Sequence, residues 1–299
     1  MTQKQNTSTV KPLSSYKVGT AYFFTLSHLA VFKKAAVFIG VVLKDFFFLQ
    51  YGRKLHLSRI PIINVDNALD DAVPYKPEKI DTYLDFVNFW IRPLVFLSKK
   101  LGKKAVPYYC EYIELITRCY EQAGEFYRFR MSTTKRPKGR TNLQMAFVRL
   151  VDPHYLCVPS LHVSIMALVI TFYKKAFAEI GLLQEEQQAY NDELYAGALE
   201  IAETVLYVKQ HSVNCISAAL YMMCFILKDQ FTIENAVDFI NNMFQKSTDI
   251  SDQDKKAINE HLNDLFEQLL LEGANEYEWI TPLKRWIIRY YEENSTEQE

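Results

Sequence analysis

The chain has 299 residues, with 34 Lys and Arg against 35 Asp and Glu and a formal net charge of -1. That balance offers no cationic surplus for a polyanion and excludes nucleic acid as an expected partner. Hydrophobic residues make up 49% and there are only 9 Gly and 10 Pro. A large core is therefore available, and the long apolar runs read as helices rather than many short strands.

In chain order, residues 1–20 are polar, lack the apolar core of a signal peptide, and read as a flexible tail. Residues 21–50 read as one or two helices, aromatic and basic enough to lie on or dip into a membrane. The Pro-containing stretch "SRIPIINVDNALDDAVPYKPEK" is poor helix and reads as a loop. A helix over 80–101 closes at Gly102, and another covers 107–128, with Tyr108, Tyr112, Leu115, Cys119 and Tyr120 near helical spacing. "RFRMSTTKRPKGRTN" (128–142) is a basic loop holding Arg128, Arg130, Lys135, Arg136, Lys138 and Arg140. "VDPHYLCVPSLHVSIMAL" (151–168) leads into a helix from about Ser160 to Ala178. The next helix is expected to run through Tyr207 and His211 to Leu227.

Residues 231–299 differ in character. Ser251 is a candidate N-cap with Asp254 three residues on, Gly273 a candidate stop, and Ala257, Leu262, Leu265, Phe266 and Leu269 form one stripe. The expected organisation is a tail (1–20), an all-α helical domain (21–230) and a C-terminal amphipathic helical extension (231–299). The five cysteines have irregular spacing and no C-x-x-C pair, so they read as reduced, packed thiols without a disulfide framework or zinc site.

Charges interrupt each apolar stretch, at Lys33-Lys34, Lys44-Asp45, Arg92 and Lys174-Lys175. A spanning helix needs roughly 20 mostly apolar residues, and the mean hydropathy is -0.11. A membrane-associated or integral membrane protein and a soluble cytoplasmic one both stay open.

Three segments carry the chemistry, each with two readings. The basic loop is a solvated surface or an anion clamp, since Arg presents a planar fork to phosphate. Pro159-Ser160-Leu161-His162 is an ordinary capped helix start, or a phosphate site that uses the N-terminal N–H groups with a Ser hydroxyl and a His acid. Lys209-Gln210-His211 is a core histidine in an apolar run or a nucleophile. Taken together they supply cations for phosphoryl oxygens, a histidine nucleophile and a histidine acid, with no metal or other cofactor required.

These segments resemble the type 2 phosphatidic acid phosphatase superfamily, which includes lipid phosphatases, related phosphotransferases and vanadium haloperoxidases. Within it they are most similar to a branch whose central motif reads Pro-Ser-Leu-His-Val. "RFRMSTTKRP" resembles the first element through Arg136-Pro137, with Arg128 or Arg130 as the upstream cation. Pro159, Ser160 and His162 match the second, and "TVLYVKQHSVNC" resembles the third. "DDAVPYKPEKIDTY" looks like the loop preceding the core, and the resemblance covers roughly residues 60 to 225. It implies a helical bundle with the site at one end and metal-independent hydrolysis of phosphate monoesters, including lipid phosphates. His211 would form a phosphohistidine and His162 would protonate the leaving alcohol. Arg136, an upstream arginine, Ser160, Lys209 and Lys135 would hold the phosphoryl oxygens.

The chain departs from the pattern at two places. Thr204-Val205 stands where the family has Ser-Arg. Cys215, preceded by Asn214, stands where an Asp four residues past the nucleophile would orient the ring from the same helix face. By analogy with the serine-protease triad, that loss costs about 10⁴ in rate. A catalytically degenerate relative that binds phosphate or a lipid headgroup, a headgroup phosphotransferase, and a helical interaction protein working through its C-terminal helices are the alternatives.

Overall fold

Apolar residues recurring every three to four positions give amphipathic helices, and these fill the chain. The computed structural model describes residues 10–137 and 141–295. Among them the order is α1 (Gly19–Ser27), α2 (Leu29–Val42) running on through a π-helical turn (Leu43–Phe48) into α3 (Leu49–Lys54), strand β1 (Ile62–Asn64), α4 (Ile80–Leu101), α5 (Val106–Phe129) and strand β2 (Met131–Thr133). Then come α6 (Leu143–Val151), α7 (Leu161–Glu179), α8 (Gln184–Tyr207), α9 (Asn214–Ile226), α10 (Ile233–Asn242), α11 (Asp252–Gly273) and α12 (Ile280–Ser295). The fold is an all-α helical bundle.

Side-chain caps and glycine set several helix ends where the sequence places them. Ser160 caps α7 by accepting from Val163 N, and Ser251 caps α11 by accepting from Asp254 N. Gly102 follows α4 with φ +55°, a left-handed conformation that costs glycine little. Helix α7 packs on α5, α8 and α9, and α9 also carries α11. Residues 163–169 and 215–223 are buried without a break, so these two helices form the centre of the bundle. One continuous core runs from Leu13 to Ile287, so the C-terminal helices share it with the rest of the chain.

Three local expectations change. The first nine residues of the expected tail lie outside the described residues, but from Leu13 the chain is docked rather than free. The N–H groups of Leu13 and Ser14 both donate to the Glu193 carboxylate at 2.7 Å, and Leu13 is buried. The helix expected through His211 to Leu227 breaks instead: α8 ends at Tyr207, Lys209 turns left-handed at φ +55°, and α9 begins at Asn214. Two short strands pair where no sheet was expected.

Among the described residues, α7 is the one helix that alone has the length and apolarity of a membrane span, and two-thirds of that stretch is buried in the bundle. Helix α1 and the continuous segment Leu29–Lys54 have them jointly, bent by 113°.

Candidate active site

Three extended segments bring distant pieces of sequence together. Strand β1 pairs in parallel with β2, Ile62 opposite Met131 and Asn64 opposite Thr133, and Ser132 bridges in parallel to Leu156. Val158 N donates to Ser132 Oγ at 2.7 Å, which fixes the third segment. Because all three run the same way, residues 65–73, 134–137 and 158–160 leave the ladder at one end. Asp66 then ties two of these exits together by accepting from Lys135 N at 2.8 Å.

The exit at 158–160 feeds α7. Ser160 N donates to the Cys215 carbonyl (3.3 Å), which pins the start of α7 to the start of α9. Opposite it, the turn 208–213 folds back on α8, with the N–H groups of Gln210 and His211 both donating to Val205 O. Asp70 accepts from Val213 N at 2.8 Å and closes the other side of this turn. His211 is therefore held on both flanks, by the Val205 carbonyl and by the Asp70 carboxylate.

The ring geometry of His211 defines its tautomer. Nδ1 lies 3.0 Å from the Cys157 carbonyl, which can only accept, so Nδ1 carries the proton. In the neutral ring Nε2 then has the lone pair. It faces Ser160 Oγ at 3.3 Å and His162 Nδ1 at 3.4 Å. Burial pushes the His211 pKa down to about 4, opposed by the bond to the Cys157 carbonyl. Burial, then the neighbouring His211, pushes that of His162 down to about 3. His162 is sandwiched by aromatic rings of α4, with Tyr83 and Phe86 centroids 4.8 and 4.5 Å away.

Two cavities meet at His211. The larger, about 760 Å³, is lined by Lys135, Arg136 and Lys209, and also by Asp66, Asp70 and Asp71. The smaller, about 260 Å³, is mainly apolar and encloses His162 between Phe46, Phe47, Tyr83, Phe86 and Tyr120. In the first, formal charge cancels, so any anion must be held by directed donors rather than by net field. One such donor is present, on Lys209; Arg136 Nε also lacks a partner, but it is shut off from solvent and reaches the cavity only if the side chain shifts. Lys209 spends two of its three N–H groups on the carbonyls of Asp70 and Val73, leaving one.

The other sequence candidates divide. Arg136 is braced in place, donating to the carbonyls of Arg149 (3.2 Å) and Asp152 (3.0 Å). Lys135 lines the same cavity from an exposed position. Arg128 and Arg130 do not line it. Arg128 lies on α5 and pairs with Asp45, a carboxylate buried in the π-helical turn that requires a cation. Arg130 follows the end of α5 and stacks on Phe129. Lys138 and Arg140 lie outside the described residues.

The position assigned to the missing carboxylate is also corrected. His211 precedes α9 and sits in a turn, so residue 215 does not share a helix face with it. Cys215 is buried and contributes its carbonyl to Ser160. Asn214 turns away, its Oδ1 accepting from His261 Nε2 at 2.8 Å and its Nδ2 donating to Val65 O at 3.1 Å. Glu203 accepts from Phe244 N, and Asp152 lies beside Arg136 at 3.6 Å. The partner of His211 Nδ1 is the Cys157 backbone.

Sequence reasoning missed that carbonyl, which has no side-chain signature, and the Tyr83–Phe86 wall. Helical spacing on α4 offered the only signal for the latter. Among the described residues, no three His, Cys, Asp or Glu side chains gather as a metal site. No protein-family model matches the chain, and neither a curated protein nor a solved structure matches it.

Proposed function

We propose that the chain is a membrane-associated phosphoryl-transfer enzyme acting on phosphate monoesters, similar in its chemistry to the type 2 phosphatidic acid phosphatases. The observation that carries this reading is the His211 ring. Its protonated Nδ1 is fixed by a carbonyl, and its Nε2 lone pair is aimed at the junction of a cavity with cationic donors and one that holds a second histidine.

The phosphoryl group would lie in the larger cavity, against Arg136, Lys209 and Lys135, with the Ser160 hydroxyl beside it. His211 Nε2 attacks phosphorus and the phosphorus–oxygen ester bond breaks. The leaving alkoxide takes a proton from His162. Water then gives a proton to His162, attacks the phosphohistidine, and releases phosphate with His211 neutral again. Low pKa values keep His211 a free nucleophile at neutral pH. The negative charge of a bound phosphate raises that of His162 so that it can hold the proton it donates.

A second reading has its own support. A neutral carbonyl stabilises a cationic phosphohistidine less than a carboxylate does. A relative that binds phosphate without turnover fits that weaker partner. Phosphate release from soluble and lipid monoesters in chelator, with and without an acceptor alcohol, separates the two. Turnover by the wild type and none by His211→Ala supports the enzyme. Vanadate binding with no turnover on any substrate supports the binder.

A further inference from the structure

The segment Leu29–Phe48 is amphipathic the wrong way round for a helix at a water surface. Twelve of its positions are exposed, at 29, 30, 32, 33, 36, 37, 39, 40, 43, 44, 47 and 48, the i, i+3, i+4 stripe of a single face. All but Lys33 and Lys44 are apolar, including Leu29, Phe32, Val37, Ile39, Leu43 and Phe48. The other two charges leave this stripe: Lys34, half exposed at its edge, reaches sideways to Glu114 of α5, and Asp45 is buried and pairs with Arg128. Gly124 of α5 admits Asp45, since a Cβ there would come within 2.7 Å of the Asp45 Cβ. A globular helix puts its charges outside, so this stripe is built to face something other than water.

The apolar surface continues on both sides. On α1, Phe23 is 74% and Leu26 70% exposed. On α6, Leu143 is 90% and Leu150 70% exposed, and Phe147 with Val151 shares a face of the same helix. Tyr51 of α3 donates to Val151 O at 2.5 Å, joining the two regions. Phe47 and Val151 are exposed and also line the cavity that holds His162. That cavity therefore opens on this face.

Charge selects the occupant. Residues 10–60 hold eight Lys and Arg and one acid, the buried Asp45, for a net +7, whereas the rest of the chain holds 26 basic and 34 acidic residues. An apolar stripe edged with lysine matches an anionic bilayer surface. A second copy of the chain would instead set +7 against +7. A spanning arrangement is opposed by α5, which lies alongside α2 and exposes Glu114, Arg118, Glu121 and Glu125 on its outer stripe. Each such charge at a bilayer centre is strongly disfavoured.

We infer that α1, the segment Leu29–Phe48 and α6 form one interfacial docking face for an anionic phospholipid bilayer, lying in the headgroup layer with the mouth of the His162 cavity turned toward the lipid. The inference deepens the membrane association proposed above. Its test is independent of turnover: full-length protein is sedimented with phosphatidylcholine vesicles and with vesicles containing about 30% phosphatidylserine. The wild type and His211→Ala should bind the anionic vesicles equally, and salt should release both. Lys33→Gln with Lys44→Gln should weaken binding about 30-fold, two charges at ~1 kcal/mol each. Phe23→Ser with Phe48→Ser should abolish it while melting stays unchanged. Four results would overturn the inference: wild type left in the supernatant, binding unaffected by both double variants, protein that resists alkaline carbonate extraction, or concentration-dependent dimers that the Phe→Ser pair dissolves. Vesicle binding without phosphate release would leave docking standing and remove only the enzyme reading.

Discussion

His211→Gln removes a titrating ring from the junction of the two cavities while keeping an N–H for the Cys157 carbonyl. Folding holds the His211 pKa at about 4, against 6.5 for an open chain. Between those values the unfolded chain binds a proton that the folded chain refuses. The stability this group contributes is thus intact above pH 6.5 and is lost as pH falls toward 4. At pH 5 the loss is roughly 2 kcal/mol relative to pH 7.5. His162, pushed to about 3, and His154, pushed well below its ordinary value by burial, act in the same direction. Asp70, Asp152 and Glu203 act oppositely, because burial raises their pKa values and makes the folded state the better proton acceptor. The carboxylate contributions are common to wild type and variant and cancel in the comparison, whereas His162 and His154, which His211 helps to hold neutral, lose part of theirs in the variant and add to the difference. Urea denaturation at pH 7.5 and 5.0 reads the difference: the wild type should lose at least roughly 2 kcal/mol more than His211→Gln on acidification. Equal losses would show that His211 is not held neutral in the fold.

Two further outcomes follow from the geometry. His162→Ala should slow phosphohistidine formation from alkyl phosphates by about 10²–10⁴ and scarcely affect formation from aryl phosphates, whose leaving groups need no proton; the first-turnover release of alcohol or phenol from a matched substrate pair checks it. Cys215→Asp should destabilise the fold by roughly 3 kcal/mol, since it places a carboxylate in a fully buried site, and should not increase turnover. A gain in rate would mean that the carboxylate reaches the His211 ring.

Much of the helical framework is written in periodicity and caps. The stop at Gly102, the caps at Ser160 and Ser251, and the helix over 80–101 all follow from local residues acting on their own backbone. The break after Tyr207 was not legible, because "VKQHSV" contains neither Gly nor Pro. Its left-handed Lys209 is held by tertiary bonds to the carbonyls of Asp70 and Val73. That one turn moves His211 off the helix and removes the argument about position 215. Arg128 and Arg130 match the upstream cation only by their distance in sequence from Arg136-Pro137. Neither lines the cavity, and Arg128 is instead drawn to the buried Asp45, 83 residues away. The Ser160, His162 and His211 grouping was suggested by motif order, and the structure places those side chains within 3.4 Å of one another through His211. The Cys157 carbonyl that fixes the tautomer belongs to the backbone and so left no trace in the residue types.

The central claim is that His211 Nε2 accepts a phosphoryl group. The direct measurement is a rapid quench of excess enzyme with a radiolabelled aryl phosphate monoester, followed by digestion and mapping of the labelled peptide under alkaline conditions that preserve phosphohistidine. The account predicts transient label on the peptide containing His211, a larger and longer-lived amount in His162→Ala, and none in His211→Ala. Turnover that proceeds without label, or label retained in His211→Ala, would contradict it.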